Sequence, residues 1–254
     1  MLSLSRLRTH GAARAVALAA LVLVTTNCAS TPTAPRFADG TTRVLFLGNS
    51  LTYTNDLPRL VETLAPMAGV SNLRTAVLAG PDFALEDHWN EGVAARWLKN
   101  DRWEFVVLQQ GSSALPASQV HLRTWTEAFA PLIRDAGAKP VLLMVWPTQD
   151  RLFDFPNVQQ SYRNAAASVN GLFAPAGDAW VAFGNYSQLY SDGLHPTIYG
   201  SYLAALTVLE KVAGVRPDRF PPVIPGASVD SITVRKLQAA AWTAIQRNGN
   251  AVPQ

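Results

Sequence analysis

Val44-Leu45-Phe46-Leu47-Gly48-Asn49-Ser50 decides how the rest of the chain is read. Four consecutive apolar residues closed by a glycine suggest a short strand buried on both faces, because a half-exposed strand would alternate. Working outward, similar runs recur at 73–78, 105–108, 141–145 and, more weakly, 172–174. Segments with helical spacing fill 57–68, 84–98, 120–136 and 158–170, and two further helices are predicted over 197–213 and 228–247. Strand and helix in alternation imply a parallel sheet, and strands apolar on both faces need helices on both sides. The expected fold is therefore α/β, three layers (α/β/α) around a parallel sheet of about five strands.

Composition narrows the class further. With 48% hydrophobic and 15% charged residues, the 254-residue chain has too much apolar surface to remain disordered. Its excess of basic residues, 21 against 18 acids, is accounted for by Arg6, Arg8 and Arg14 near the start. The remaining body is neutral, which removes the main support for nucleic-acid binding. The arginines precede an apolar run at 15–24, too short to span a bilayer and laid out like a secretory signal over 1–27. Export is expected, to the periplasm, to a membrane-anchored lipoprotein or to the medium. Cys28 is the only cysteine, so no intramolecular disulfide can form. It reads either as a lipidated first residue or as part of an ordinary cleavage site ending at Ser30, and a lipid there would be the sole membrane attachment. Residues 28–42, rich in proline and small polar residues, read as a tether, and one domain is expected over 43–254.

In an open parallel sheet, reacting side chains gather beyond the carboxyl ends of the strands. There the sequence places Gly48-Asn49-Ser50, Ala79-Gly80-Pro81, Gln109-Gln110-Gly111-Ser112-Ser113 and Ser191-Asp192-Gly193-Leu194-His195-Pro196. Ser50 on a tight turn can present its hydroxyl as a nucleophile, or merely cap the next helix. A serine needs a base, and the histidines are His10, His88, His121 and His195. His10 leaves with the signal, while His88 and His121 fall inside predicted helices, away from the strand ends. His195 follows Asp192 by three residues, so the carboxylate can take the ring Nδ1–H and leave Nε2 free for Ser50; the alternative is a carboxylate that only shapes the turn. Ser50 N–H, Gly80 N–H and the Gln109 amide are the candidate oxyanion donors, with Gln110 expected on the opposite face. The scattered histidines and single cysteine offer no metal site, and no cofactor fingerprint is present.

Together these blocks resemble the SGNH, or GDSL-type, esterase superfamily. The resemblance implies a flavodoxin-like sheet and ester hydrolysis by Ser50, with His195 as base and Asp192 as its orienting partner. Two blocks depart from the family pattern: Gly-Asn-Ser stands for Gly-Asp-Ser, and the third block lacks Gly-x-Asn-Asp. The glutamine-containing block looks more like that of carbohydrate acetylesterase branches, which puts Gln109 in the asparagine's role and points to an acetylated sugar or glycan as substrate. A lipase, lysophospholipase or thioesterase using the same residues is the alternative enzyme, and a glycan-binding envelope module without chemistry the alternative class. Trp146, after the fourth strand, is a candidate pocket residue.

Overall fold

The computed structural model describes residues 32–249. The predicted signal at 1–27 and Cys28 lie outside the described residues. Strands β1 (Thr42–Gly48), β2 (Leu73–Ala79), β3 (Phe105–Leu108), β4 (Lys139–Leu143) and β5 (Leu172–Ala174) form one sheet in the order β2-β1-β3-β4-β5. Every pair is parallel, with Gly48 level with Ala79 and Leu47 level with Leu108. This is the flavodoxin-like order, whose switch point lies between β1 and β3. Loops diverge there, so the ends of those two strands are where a site is expected.

Helices α1 (Ser50–Tyr53), α2 (Leu57–Leu64), α3 (Leu85–Glu91), α4 (Val93–Asn100), α5 (Pro116–Asp135), α6 (Phe155–Ser168), α7 (Ala176–Phe183), α8 (Ile198–Ala213) and α9 (Ser231–Arg247) complete the body. Helices α3, α4, α5 and α6 pack in series, α2 packs against α8, which also meets α7 and α9, and α6 touches α7. Val44 to Leu47 and Val106 to Leu108 are fully buried between the layers, as their uninterrupted apolar pattern requires.

Local chemistry explains the departures from expectation. The helix expected over 57–68 tightens to a 3-10 turn at Ala65–Ala68, because Pro66 has no N–H for the helical ladder and Gly69 (φ 85°) closes the turn. The helix expected over 84–98 is two helices, broken where Gly92 takes φ 69°. In the fourth strand, pairing ends at Leu143, and Met144 and Val145 continue as buried irregular chain. The short helices α1 and α7 were not anticipated. Irregular residues ahead of β1 lie on the body: Pro32 O accepts from Trp97 Nε1 at 3.0 Å, and the Phe37 ring meets Trp103 edge-on at 5.9 Å.

Candidate active site

Beyond β1 the chain turns sharply into α1. Asn49 caps that helix, its Oδ1 accepting the Leu51 N–H at 3.1 Å, so Ser50 occupies the first helical position. Gln109 holds the turn from below. Its Oε1 accepts from Asn49 N–H at 2.9 Å and Thr52 Oγ1 at 2.7 Å, while its Nε2 donates to Asn49 Oδ1 at 2.9 Å and Gln110 O at 2.7 Å. Asn49 Nδ2 reaches across to Phe83 O, 3.0 Å away in the loop after β2. Gly48 is required here, since a Cβ would lie 2.5 Å from Gln109 Oε1 and closer still to Thr52 Oγ1.

The turn Asp192-Gly193-Leu194-His195 is built around one carboxylate. Asp192 Oδ1 accepts the N–H groups of Leu194 (3.0 Å) and His195 (2.7 Å), and Oδ2 faces His195 Nδ1 at 2.7 Å. The ring bond, followed by the two backbone donors, holds the Asp192 carboxyl down at about 2. A carboxylate at Nδ1 requires the proton there, which leaves Nε2 bare as an acceptor. Gly193 takes φ 87°, which suits glycine. Beneath the turn, Trp146 Nε1 donates to Leu194 O at 2.9 Å and its ring stacks on Trp180 at 3.8 Å. Trp146 is buried, so it braces the histidine loop instead of lining a pocket, contrary to the sequence expectation.

A third contact joins the two blocks. Asn55, five residues beyond Ser50 and at φ 55°, donates through Nδ2 to Pro196 O (2.9 Å) and Ser201 Oγ (3.0 Å). The serine turn is thereby bonded to the residue that follows His195. Ser50 Oγ and His195 Nε2 make no hydrogen bond to any atom among the described residues. A hydrogen bond between the candidate nucleophile and base is therefore not formed here, and such contacts often tighten only once substrate binds.

For the oxyanion, the structure separates the expected donors. Ser50 N–H and Gly80 N–H have no acceptor among the described residues and remain available. The Gln109 amide is not available: both its polar atoms are engaged and the residue is fully buried. Sequence reasoning placed it at the correct strand end but could not see that Asn49 and Thr52 would occupy it. Neighbouring Gln110 has the freer amide, with Oε1 accepting from Leu85 N–H at 3.3 Å and Nε2 without a protein partner among the described residues. Its backbone is clamped by Tyr162, whose hydroxyl donates to Gln110 O at 2.6 Å and whose acidity is suppressed by burial.

His88 was expected away from the strand ends, yet it lies under the end of β1, its Nε2–H donating to Gly48 O at 2.8 Å. Burial, the larger influence, lowers its pKa and keeps the ring neutral. The detectable signal was its place three residues after Leu85, on the inward face of α3. His121 is a surface partner of Glu86 at 2.9 Å.

A flavodoxin-ordered α/β/α sheet with a serine turn after β1 and a carboxylate-oriented histidine before the last sheet-packed helix defines an SGNH-type hydrolase scaffold. No family model and no curated protein matches the chain. Among solved structures, it is similar to a candidate SGNH hydrolase from Slackia heliotrinireducens at 29% identity, covering 67% of this chain and 98% of that one with a TM-score of 0.58. A DUF4886 family protein from Bacteroides uniformis is 18% identical, with coverage of 82% and 96% and a TM-score of 0.62. An acetyl xylan esterase from Geobacillus stearothermophilus is 17% identical, with coverage of 70% and 96% and a TM-score of 0.53. The structure has the SGNH hydrolase fold, and the likeness to a candidate SGNH hydrolase at 29% identity supports a place in the SGNH/GDSL superfamily.

Proposed function

We propose that this protein is an exported serine esterase that removes acyl groups, in particular O-acetyl, from a carbohydrate or glycan. Ser50 Oγ attacks the ester carbonyl carbon as His195 Nε2 takes its proton, and negative charge collects on the carbonyl oxygen facing the Ser50 and Gly80 N–H groups. His195 then protonates the departing alcohol. A water deprotonated by the same ring attacks the acyl-serine, releasing the acid and restoring Ser50. Asp192 keeps the ring in the required tautomer and stabilises the imidazolium.

The observation that carries this reading is the 2.7 Å bond between Asp192 Oδ2 and His195 Nδ1, on a loop bonded through Asn55 to the Ser50 segment. A glycan-binding module would have no use for an oriented imidazole with a bare Nε2. The sugar side of the proposal is supported by the glutamine-bearing third block and by the likeness to an acetyl xylan esterase. Export, with Cys28 as a lipid acceptor in the anchored form, is supported by the arginines and apolar run at the start of the chain.

Hydrolysis of a short-chain aryl ester tests the chemistry. Ser50→Ala is expected to lower turnover by at least about 10³-fold with an unchanged circular dichroism spectrum. Equal rates for the two proteins would remove the esterase reading. Release of acetate from acetylated polysaccharides, compared with release of long fatty acids, separates a carbohydrate esterase from a lipase.

A further inference from the structure

The loops after β3 and β4 enclose a cavity of about 280 Å³. That is just below the range of roughly 300–1,000 Å³ typical of ligand pockets, suited to a single ring. We propose that this cavity holds a neutral sugar ring, the alcohol portion of the ester; the inference rests on the esterase reading above.

Charge selects against other ligands first. Arg151, on the cavity wall, is bound through Nε (2.8 Å) and Nη2 (2.6 Å) to Asp154 Oδ2, and its guanidinium lies over the Phe153 ring at 5.0 Å. The cation is thus neutralised and held, leaving no unpaired charge in the lining for an anionic ligand. Two hydroxyls in the lining, Ser112 Oγ and Thr148 Oγ1, have no hydrogen-bond partner among the described residues. Beside them Leu115 (60% exposed) and Pro147 offer an aliphatic surface. A pyranose presents the complement, hydroxyls at its edge and C–H groups on its face. A fatty acyl chain would strip water from the hydroxyls and the ion pair without replacing those hydrogen bonds.

Position selects the alcohol side of the ester. The β3 loop follows directly on Gln109 and Gln110. The β4 loop is bonded to the histidine turn by Gln149 N–H to Gly193 O at 2.8 Å, Tyr190 Oη–H to Pro147 O at 2.5 Å and the Trp146 bond to Leu194 O. His195 protonates the departing alcohol, so that portion of the substrate leaves on the side of this loop.

Acetylated xylobiose and ethyl acetate share the acyl group and differ in whether the alcohol carries a ring, so together they isolate the cavity. Ser113→Phe, which fills it, and the double variant Ser112→Ala/Thr148→Val, which removes the free hydroxyls, are expected to lower kcat/KM for acetylated xylobiose at least tenfold, about 1.4 kcal/mol. Ethyl acetate turnover is expected to stay within about twofold, because its alcohol carries no ring to enter the cavity. Binding of xylobiose to the Ser50→Ala protein, followed by NMR shift perturbation, is expected to be lost on adding Ser113→Phe. Parallel loss on both esters, no loss on either, or xylobiose binding indifferent to the filled cavity would overturn the proposal. Failure of the esterase reading would show separately, as ethyl acetate hydrolysis by the unaltered protein that is absent or does not depend on Ser50.

Discussion

Asn49 and Gln109 hold each other through a closed pair of hydrogen bonds, Asn49 N–H to Gln109 Oε1 and Gln109 Nε2 to Asn49 Oδ1, both 2.9 Å long. The pair spans the switch point between β1 and β3 and fixes the turn that carries Ser50. The third-block glutamine therefore acts as a positioning residue for the proposed nucleophile. Gln109→Leu leaves the Asn49 N–H and the Thr52 hydroxyl buried without acceptors, a cost of about 2–4 kcal/mol. In thermal denaturation this corresponds to a fall of roughly 5–15 °C for a domain of this size. Turnover is expected to fall as well. Lost turnover at an unchanged melting temperature would instead restore a direct role for the amide at the oxyanion.

Asp192→Asn keeps an oxygen for the Leu194 and His195 N–H groups but places an amide against Nδ1. The ring must then accept at Nδ1 and carry its proton on Nε2, the wrong tautomer for a base, so a fall in kcat of about 10²–10⁴-fold is expected. The native carboxyl titrates at about 2, below its unfolded value, chiefly because of the His195 ring bond. The stabilisation from this pair is therefore complete above the ordinary carboxylate range and is lost as pH falls towards about 2. Comparing urea midpoints at neutral and acidic pH for the two proteins checks the sign.

For His88 the linkage runs with a neutral native ring. Its pKa is lowered by burial, so the unfolded chain binds the extra proton and stability declines as pH drops below the ordinary histidine value of about 6.5. His88→Leu is expected to flatten that part of the stability profile. It also leaves Gly48 O without its donor, at a cost of about 1–3 kcal/mol. An unchanged pH slope in the variant would show that another group is responsible.

Asn55 makes a prediction about alignment. Asn55→Gly tolerates the positive φ but loses the bonds to Pro196 and Ser201, whereas Asn55→Ala loses both the bonds and the conformational ease. Both are expected to reduce kcat by about tenfold with little change in KM, because a modest misplacement of reacting groups is costly. Both should lower stability, and Asn55→Ala by more, because alanine is also strained at the positive φ. Normal kcat in the glycine variant would remove the bridge from the mechanism.

Much of this was legible in the chain because it depends on near neighbours. Apolar runs such as 44–47 specify strands buried on both faces, and their alternation with helical spacing specifies the three-layer class. The Asp192–His195 bond spans three residues within one glycine-containing turn, so its geometry is a local matter. Even here, proline and glycine punctuation shifted helix ends, as at Pro66 and Gly92.

What the tertiary structure alone decided are contacts between residues far apart in sequence. Gln109 meets Asn49 across 60 residues, His88 meets Gly48 across 40, Trp146 meets Leu194 across 48 and Asn55 meets Pro196 across 141. A side chain's role there is set by which strand lies beside which and by which donors already occupy its polar atoms. Composition and spacing carry neither, because hydrogen-bonding capacity is shared out only once the sheet order is fixed. That is why an amide at the expected strand end serves to hold the serine turn, and why a helix histidine supports it from beneath.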